Sequence, residues 1–381
     1  MQLELTDTQT LIRQTARAFA RDVVAPKARQ TDREERFPTE EYRQMGELGL
    51  LGINVPSAYG GADAGTVSYA LAMIEMSAAC CSTSVGMAVT NMCAELITAF
   101  GTEAQKQKFV TRLVSGEAIA GAFALSEAQA GSDPGAMATT ATLSGDTWVL
   151  NGSKQWITSG AHAGVMVVWA RTGAAGNKGL SCFIVEKGTP GLSAGKPEDK
   201  MGLRGSNTVP LVFENCAVPQ DNLLGKLGDG FKLAMTALDG GRIGIASQAC
   251  GLGRAAIEAS VRYAKDRHAF GKPIGEFQGI SFMLADMATQ QQAAELLTMR
   301  AAHLKEQGQP FSREASMAKL FASEMSNRVC DRAVQIHGGA GYIDEFPVER
   351  YLRDARVQTI YEGTSEVQRI VIARESLKLL R

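Results

Sequence analysis

A glutamate stands immediately before a glycine and the predicted start of the last helix, in the segment Tyr361-Glu362-Gly363-Thr364-Ser365-Glu366. Glycine permits backbone conformations that would point the carboxylate of Glu362 toward a cavity. The first N–H groups of the following helix favour an anion at that position. A carboxylate in a dry pocket can act as a general base, because burial raises its pKa toward neutrality. A solvated glutamate in front of a helix cap is the alternative interpretation.

Two earlier segments combine hydroxyls with glycine or with an indole. Phe123-Ala-Leu-Ser-Glu-Ala-Gln-Ala-Gly-Ser-Asp133 leaves a predicted strand and becomes a loop whose hydroxyls and free N–H groups suit an anionic or carbonyl-rich ligand. Gln155-Trp156-Ile157-Thr158-Ser159 places an indole beside hydroxyls at a strand end, where it can stack on a planar ring. The alternatives are an ordinary connecting loop and a core tryptophan.

Three segments of the C-terminal part carry glycine or cationic signals. Asp239-Gly-Gly-Arg242 puts two glycines inside a predicted helix at a cost of about 1 kcal/mol each relative to alanine, which indicates that another group approaches the backbone there. Arg267-His-Ala-Phe-Gly-Lys272 offers its arginine to a phosphate, and Gln335–Tyr342 is a helix end that opens into glycines.

A further glycine pattern, Gly251-x-Gly253-x-x-Ala256, fits the dinucleotide-binding fingerprint formally. That fingerprint requires a preceding strand, whereas Arg242–Cys250 has a helical pattern. Small residues that let helices approach one another closely are the better interpretation.

The predicted secondary structure that must position these segments changes twice along the 381 residues, from helices to strands and back to helices. Residues 1–120 are expected to form an N-terminal α-helical domain, in which Thr6 or Asp7 caps a first helix. The apolar face of that helix is expected to carry Leu11, Ile12, Ala16, Phe19 and Val23. Residues 121–228 contain short alternating segments and predict a β-barrel or sandwich domain, with hairpin turns at Ser144-Gly145-Asp146 and Asn151-Gly152.

Residues 229–381 are expected to form a C-terminal helical domain. Its last helix is predicted to start at Thr364-Ser365 with Gln368 in the capping-box position. The apolar residues expected to be buried along that helix are Val367, Ile370, Val371 and Leu377.

Composition excludes several classes of protein. A 45% hydrophobic share with 21% charged residues excludes disorder, and a net charge of −1 argues against nucleic acid as the main partner. No apolar run approaches about 18 residues, so no membrane span is expected. Seven cysteines without a CxxC pair predict free buried thiols, and four histidines without metal-like spacing predict no metal site. The first residues lack the features of a targeting segment, so a cytoplasmic protein is expected.

Taken together and in chain order, the six segments resemble those of the acyl-CoA dehydrogenase family over essentially the whole chain. The resemblance is greatest to the short-chain, butyryl-CoA type branch. It implies an N-terminal helical domain, a middle β domain and a C-terminal four-helix bundle, with FAD as cofactor. It also implies a homotetramer, arranged as a dimer of dimers.

The implied reaction is α,β-dehydrogenation of a short-chain acyl-CoA to the trans-2-enoyl-CoA, as in fatty acid β-oxidation. Glu362 matches the base that removes the α-proton, flavin N5 would take the β-hydride, and an electron-transfer flavoprotein would receive the electrons. In one branch of the family the base instead stands immediately before the helix arginine, where this chain has Gly241. Glu362 is therefore the matched candidate.

The resemblance also implies contacts by position, some of them from a neighbouring subunit. The positions matching FAD contacts are Phe123, Leu125, Ser126, Gly131, Ser132, Trp156, Ile157, Thr158, Arg267, Phe270, Gln278, Gln335, Ile336, Gly338, Gly339, Thr364 and Glu366. The positions matching acyl-CoA contacts are Ser132, Asp239, Arg242, Tyr361 and Gly363. Ser126 replaces the threonine of many members and Ala128 a proline, and the hydroxyl is retained.

Four other functions stay open at this point. A branched-chain acyl-CoA dehydrogenase and an oxidase or desulfinase-like relative would share the fold. A non-catalytic or nucleic-acid-binding member is disfavoured by the net charge and by Glu362. A purely structural helical assembly would bind no flavin.

Overall fold

Helices form both ends of the chain and a β-sheet forms its middle, which confirms the predicted fold class. The computed structural model describes residues 4–378, so the first three and last three residues of the two predicted outer domains lie outside the described part.

The N-terminal helices are α1 (Asp7–Phe19), α2 (Ala28–Arg33), α3 (Thr39–Glu47), α4 (Gly65–Ala79), α5 (Cys81–Phe100), α6 (Glu103–Gln105) and α7 (Thr111–Val114). Thr6 caps α1 as predicted, because its hydroxyl accepts from the Gln9 N–H while the Gln9 side chain accepts from the Thr6 N–H. Ala16 and Phe19 are buried. The placement of Leu11 in the core is wrong, since it lies on the solvent side of α1.

The sheet contains β1 (Gly121–Ala124), β2 (Thr140–Ser144), β3 (Thr147–Thr158), β4 (Val165–Arg171), β5 (Leu180–Glu186), β6 (Leu192–Ala194), β7 (Thr208–Pro219) and β8 (Leu223–Leu224). Its order is β6-β7-β3-β2-β4-β5-β8, with β1 pairing in parallel with β4. One face of β4 and β5 packs within the sheet domain through Val168 and Phe183, and the other packs on helices through Val167 and Trp169.

The two predicted hairpin turns have different outcomes. Ser144 pairs with Thr147, so Gly145-Asp146 is the two-residue turn between β2 and β3, as predicted. The turn predicted at Asn151-Gly152 is wrong, because β3 runs through it as one strand whose pairing with β7 shifts register there. Gly152 has a φ of 142°, and a Cβ on it would lie 2.6 Å from the Thr139 hydroxyl. Between the pairs Leu150–Cys216 and Gly152–Phe213 the extra residue lies on β7, where Asn215 has a φ of 49°, so the Asn-Gly pair lies opposite a β-bulge of β7.

The C-terminal part contains α8 (Gly230–Asp266), a short hairpin of β9 (His268–Ala269) and β10 (Lys272–Pro273), and then α9 (Gln278–Glu306), α10 (Ser312–His337), α11 (Val348–Arg356) and α12 (Ser365–Lys378). Gly251 and Gly253 lie inside α8. A Cβ on Gly251 would clash with the Ile74 carbonyl of α4, and one on Gly253 would clash with the Gln291 amide of α9. These glycines allow close helix packing, as the sequence indicated.

Two predictions about buried residues differ in outcome. All seven cysteines lie in the described part of the chain, where each is a buried free thiol, as predicted. Ile370 and Leu377 of α12 were predicted to be buried and are about two-thirds exposed. α12 packs on α10 along a narrow face that includes Val371 and Gln368, so the opposite side of the helix has no partner within residues 4–378.

Candidate active site

The turn before α12 holds Glu362 in an uncommon backbone conformation. Glu362 has a φ of 53° and Gly363 a φ of 87°, two consecutive left-handed residues. A non-glycine residue held in this region costs free energy, and such strain clusters at functional sites. The Oε2 atom of Glu362 is buried and has no hydrogen-bond partner within residues 4–378. The alternative of a solvated glutamate is therefore wrong.

The surroundings of Glu362 change its acidity. Burial raises the pKa of its carboxyl group from 4.5 to about 7, while the positive charges of Arg242 and Lys319 oppose this rise. A carboxylate that titrates near neutrality has a strong affinity for a proton and is still ionised in part. This combination suits a general base.

The two glycines of α8 expose its backbone to the side chains around this turn. A Cβ on Gly241 would lie 2.8 Å from Glu362 Oε2 and 3.1 Å from the sulfur of Met92 on α5. A Cβ on Gly240 would lie 3.2 Å from Lys305 Nζ of α9. The expectation that other groups approach the backbone at these glycines is confirmed, and the groups are these side chains.

Arg242 and Asp239 form a partly buried ion pair on α8 that contacts α10 through two serines. An Arg242 N–H also donates to the Ser316 hydroxyl at 3.3 Å, and the Ser312 hydroxyl donates to Asp239 at 2.9 Å. Burial raises the pKa of Asp239 and lowers that of Arg242. The Nε of Arg242 is buried without a partner in the described residues, so a donor remains available beside the turn.

The hydroxyl of Tyr361 is hydrogen-bonded within the protein. Its hydroxyl donates to the side-chain oxygen of Gln248 on α8, and the Gln248 amide donates to the Cys81 carbonyl and the Ser84 hydroxyl, both at 3.1 Å. These hydrogen bonds connect the residue before Glu362 to α8 and α5. Sequence reasoning missed Gln248, although a glutamine on an otherwise small and apolar helix face was a possible signal.

The start of α12 differs from the predicted capping box. The Thr364 hydroxyl accepts from the Val367 N–H at 3.3 Å, as a cap does. The Gln368 amide instead donates to the carbonyl oxygens of Glu362 and Gly363, at 3.1 and 2.9 Å. The capping-box prediction for Gln368 is wrong because this side chain stabilises the turn instead of the helix N-terminus. Glu366 lies exposed on the first turn of α12.

Trp156 stands out from β3 because of a second irregularity in the strand. The pairing of β3 with β7 shifts register between Lys154 and Ile157, and Trp156 there has a φ of 63° and is 59% exposed. The alternative of a core tryptophan is wrong. Ile157 is buried beneath it and Thr158 ends the strand half-buried, so the indole is presented on the surface beside a hydroxyl.

A buried ion pair anchors the loop that follows β1 to this part of β3. Lys154 Nζ lies 2.7 Å from Glu127 Oε1 and donates to the Leu125 carbonyl at 3.2 Å. Glu127 also accepts from the N–H groups of Ala138 and Thr139. The contacts of the carboxylate lower the pKa of Glu127 to about 2, and burial lowers the pKa of Lys154 to about 8.

The same loop carries the predicted ligand-binding residues. The Gln155 N–H donates to the Ser126 carbonyl at 2.9 Å, which joins the loop to the strand that presents Trp156. Phe123 is half-buried against Trp169, whereas Gly131 and Ser132 are exposed and Gly131 has open space on its Cβ side. Sequence reasoning missed Glu127 and Lys154, since their pairing exists only in the folded chain.

A second set of predicted residues lies on the hairpin and at helix ends. Arg267, Phe270 and Gln278 are exposed, and Phe270 has a φ of 52° and is 96% exposed. At the end of α10, Gln335, Gly338 and Gly339 are exposed while Ile336 is buried. Within residues 4–378 no hydrogen bond or ion pair joins this set to the loop and strand around Trp156.

Residues 4–378 contain neither a cluster of metal-ligating side chains nor a helix suited to span a membrane. In that part of the chain no three histidine, cysteine or carboxylate side chains come together as metal ligands. Nor does any helix there combine the length and apolar character needed to cross a lipid bilayer.

Comparison with known proteins finds relatives over the whole chain. The family models for the N-terminal, middle and C-terminal domains of acyl-CoA dehydrogenases match residues 6–117, 122–216 and 228–377. The chain is 50% identical over 381 residues to the mitochondrial short-chain specific acyl-CoA dehydrogenase of Rattus norvegicus, covering 100% of this chain and 92% of the rat protein.

Two solved structures have the same fold. Butyryl-CoA dehydrogenase from Megasphaera elsdenii superposes with a TM-score of 0.97 at 44% identity, over 99% of this chain and 100% of that one. A chain in a structure of the electron transferring flavoprotein of Acidaminococcus fermentans superposes with a TM-score of 0.98 at 46% identity, over 99% of this chain and 100% of that one.

Proposed function

Since this chain belongs to the acyl-CoA dehydrogenase family, we propose that it catalyses FAD-dependent α,β-dehydrogenation of a short-chain acyl-CoA to the trans-2-enoyl-CoA, with Glu362 as the base. The observation that carries the assignment of the base is the buried Oε2 of Glu362, which has no partner in the described residues and faces the bare backbone of Gly241. A carboxylate oxygen left without a partner in a buried site is ready to accept a proton.

The chain's own groups account for removal of the α-proton. A side chain at Gly241 would collide with Oε2, so the glycine lets the carboxylate take up this buried position. The N–H of Glu362 donates to no group within residues 4–378 and can donate to the thioester oxygen, where negative charge develops. Arg242 and Lys319 supply positive charge close to the carboxylate.

The surface around Trp156 fits a flavin. An exposed indole presented by a bulge, the hydroxyl of Thr158 and the open backbone at Gly131 offer a planar contact and polar contacts together. FAD bound there would supply the acceptor for the β-hydride. The residues proposed to hold it are the seventeen positions named above, those of the hairpin and of the α10 end reaching the FAD of a neighbouring subunit.

We extend the proposal to partners of the chain. Two helices of the C-terminal part expose large apolar side chains, namely Phe282, Leu296, Ile370 and Leu377. An exposed apolar face of this kind favours association with a second copy, in line with a dimer of dimers. An electron-transfer flavoprotein is proposed as the electron acceptor, supported by the similarity to a chain in a structure of such a protein.

The pair formed by Tyr361 and Gln248 supports a short acyl chain as substrate. Replacing Gln248 with alanine removes the partner of the Tyr361 hydroxyl and frees the side chain of the residue that precedes Glu362. We expect the ratio of kcat/KM for hexanoyl-CoA to that for butyryl-CoA to rise about tenfold, as expected for a methylene-sized change in a pocket. An unchanged ratio in a folded, FAD-loaded variant would show that this pair does not limit chain length.

The acidity of Glu362 predicts a pH dependence. Because the base must be ionised to accept a proton, the rate constant for flavin reduction at saturating butyryl-CoA is expected to rise with pH and level off above about pH 7. Below that value it should fall about tenfold per pH unit. Stopped-flow absorbance of the flavin measures this, and a rate that stays constant from pH 5 to pH 8 would contradict the prediction.

A panel of acyl-CoAs tests the proposed function as a whole. We expect turnover with a dye acceptor to be greatest for butyryl-CoA and low for octanoyl-, isobutyryl-, isovaleryl- and glutaryl-CoA. Preference for a branched substrate would replace the short-chain assignment with a branched-chain one. Peroxide formation in air at a rate equal to turnover would indicate an oxidase.

A further inference from the structure

Two side chains hold the turn that carries Glu362, and they come from different helices. Lys319 of α10 donates from its Nζ to the Gly363 carbonyl oxygen at 2.7 Å. Gln368 of α12 donates from its amide to the same oxygen at 2.9 Å and to the Glu362 carbonyl oxygen at 3.1 Å. Both side chains are completely buried. The turn therefore has one charged and one neutral clamp.

The burial of Lys319 needs an explanation. An ammonium group removed from water costs free energy unless a carboxylate pairs with it. No carboxylate in the described part of the chain forms an ion pair with Lys319, and burial lowers its pKa to about 8. Its charge lies within electrostatic range of Glu362, and its hydrogen bond goes to the residue that follows Glu362.

We propose that Lys319 is the positioning residue of Glu362. Its ammonium group holds the Gly363 carbonyl, which keeps Glu362 and Gly363 in their left-handed conformations and so directs Oε2 at the backbone of Gly241. The same charge favours the ionised form of the carboxylate. This inference rests on the proposed function, because it concerns the base of that reaction.

The other titratable groups around Glu362 are either already paired or neutral near pH 7. Arg242 of α8 is the second positive charge that acts on the carboxylate, and it is already paired with Asp239. Tyr69 of α4, Cys93 of α5 and Tyr361 also lie within range of Glu362. Burial raises the pKa of each of these three groups well above its usual value, so they are neutral near pH 7 and shift the acidity of Glu362 little.

Three variants separate the two parts of the proposed role. Lys319→Met removes the clamp and the charge, Gln368→Leu removes the neutral clamp and keeps the charge, and Lys319→Arg keeps a charged donor. Each would be purified with FAD, and flavin reduction by saturating butyryl-CoA would be followed by stopped flow between pH 5 and pH 9. Thermal unfolding and flavin content report on folding, and Lys319→Gln replaces the methionine variant if that one does not fold.

We expect Lys319→Met to lower the limiting rate constant about tenfold or more and to move the midpoint of the pH profile upward by about one unit. Gln368→Leu should lower the rate constant while leaving the midpoint in place, and Lys319→Arg should restore the midpoint. A midpoint in Lys319→Met equal to that of the unmodified enzyme would overturn the inference. If the unmodified enzyme itself shows no reduction by any acyl-CoA, the proposed function fails instead.

Discussion

A protein in which Glu362 is replaced by glutamine is expected to bind FAD normally and to reduce it with butyryl-CoA about 100- to 10,000-fold more slowly. The amide has nearly the shape of the carboxylate and cannot accept the α-proton. The loss should appear in the rate constant at saturating substrate, because the interaction with the proton is made in the transition state. Anaerobic stopped-flow absorbance of the bound flavin measures it directly.

The stability of the glutamine variant can also be predicted, and measuring it shows whether the variant is folded. Because burial raises the pKa of Glu362 from 4.5 to about 7, the folded state favours the protonated form, and this carboxyl group increasingly destabilises the fold as the pH rises from 4.5 to about 7. The variant should therefore be at least as stable as the unmodified protein at pH 8. Glu345→Gln, an exposed carboxylate near α11, serves as the matched control and should reduce its flavin at the unmodified rate. Unimpaired reduction in the Glu362 variant would remove Glu362 from the mechanism.

Breaking the buried ion pair under the loop that we propose to bind flavin is expected to have the largest effect on stability. Lys154→Met leaves the Glu127 carboxylate buried without its cation, a change that costs about 3–5 kcal/mol in other proteins. The loop with Ser126 and Gly131 should lose its anchor at the same time, so FAD affinity should fall as well. Urea unfolding followed by circular dichroism gives the first quantity, and titration of the apoprotein with FAD gives the second.

Two controls make this prediction specific. Arg43 and Glu40 form an ion pair in which both side chains are 58% exposed, and Arg43→Met should change the free energy of unfolding by about 1 kcal/mol or less. The double variant Glu127→Gln, Lys154→Met removes both charges and should regain part of the stability lost in the single variant. Equal losses in Lys154→Met and Arg43→Met would mean that the buried pair contributes no more than a surface pair.

Local patterns in the sequence were enough to predict the succession of helical and β parts. Capping residues, helical periodicity and strand alternation depend on residues close in sequence. The cap at Thr6 and the turn at Gly145-Asp146 are therefore predicted correctly. Asn151-Gly152 was wrongly predicted to be a turn, because the irregularity at this point is a bulge of the partner strand β7, which local sequence does not show. Ile370 was wrongly predicted to be buried, because the sequence of a terminal helix does not show which of its apolar residues a neighbouring element will cover.

The candidate base could be found from the sequence, but its supports could not. Glu362 is marked by the glycine after it, which is a local signal. Lys319 lies 43 positions earlier on another helix, and in the sequence it is an ordinary lysine in a helical pattern. Its role depends on complete burial and on a hydrogen bond across the helix packing, both of which are properties of the folded chain.

The central claim is that the chain couples removal of the α-proton of an acyl-CoA to reduction of its flavin, and one measurement tests it most directly. The purified FAD-loaded protein would be mixed with one equivalent of butyryl-CoA in the absence of oxygen, and both flavin absorbance and acyl-CoA products would be quantified. We expect the flavin to bleach and one enoyl-CoA to form for each flavin reduced. Flavin that stays oxidised in the presence of butyryl-CoA, or that bleaches without formation of enoyl-CoA, would contradict the account.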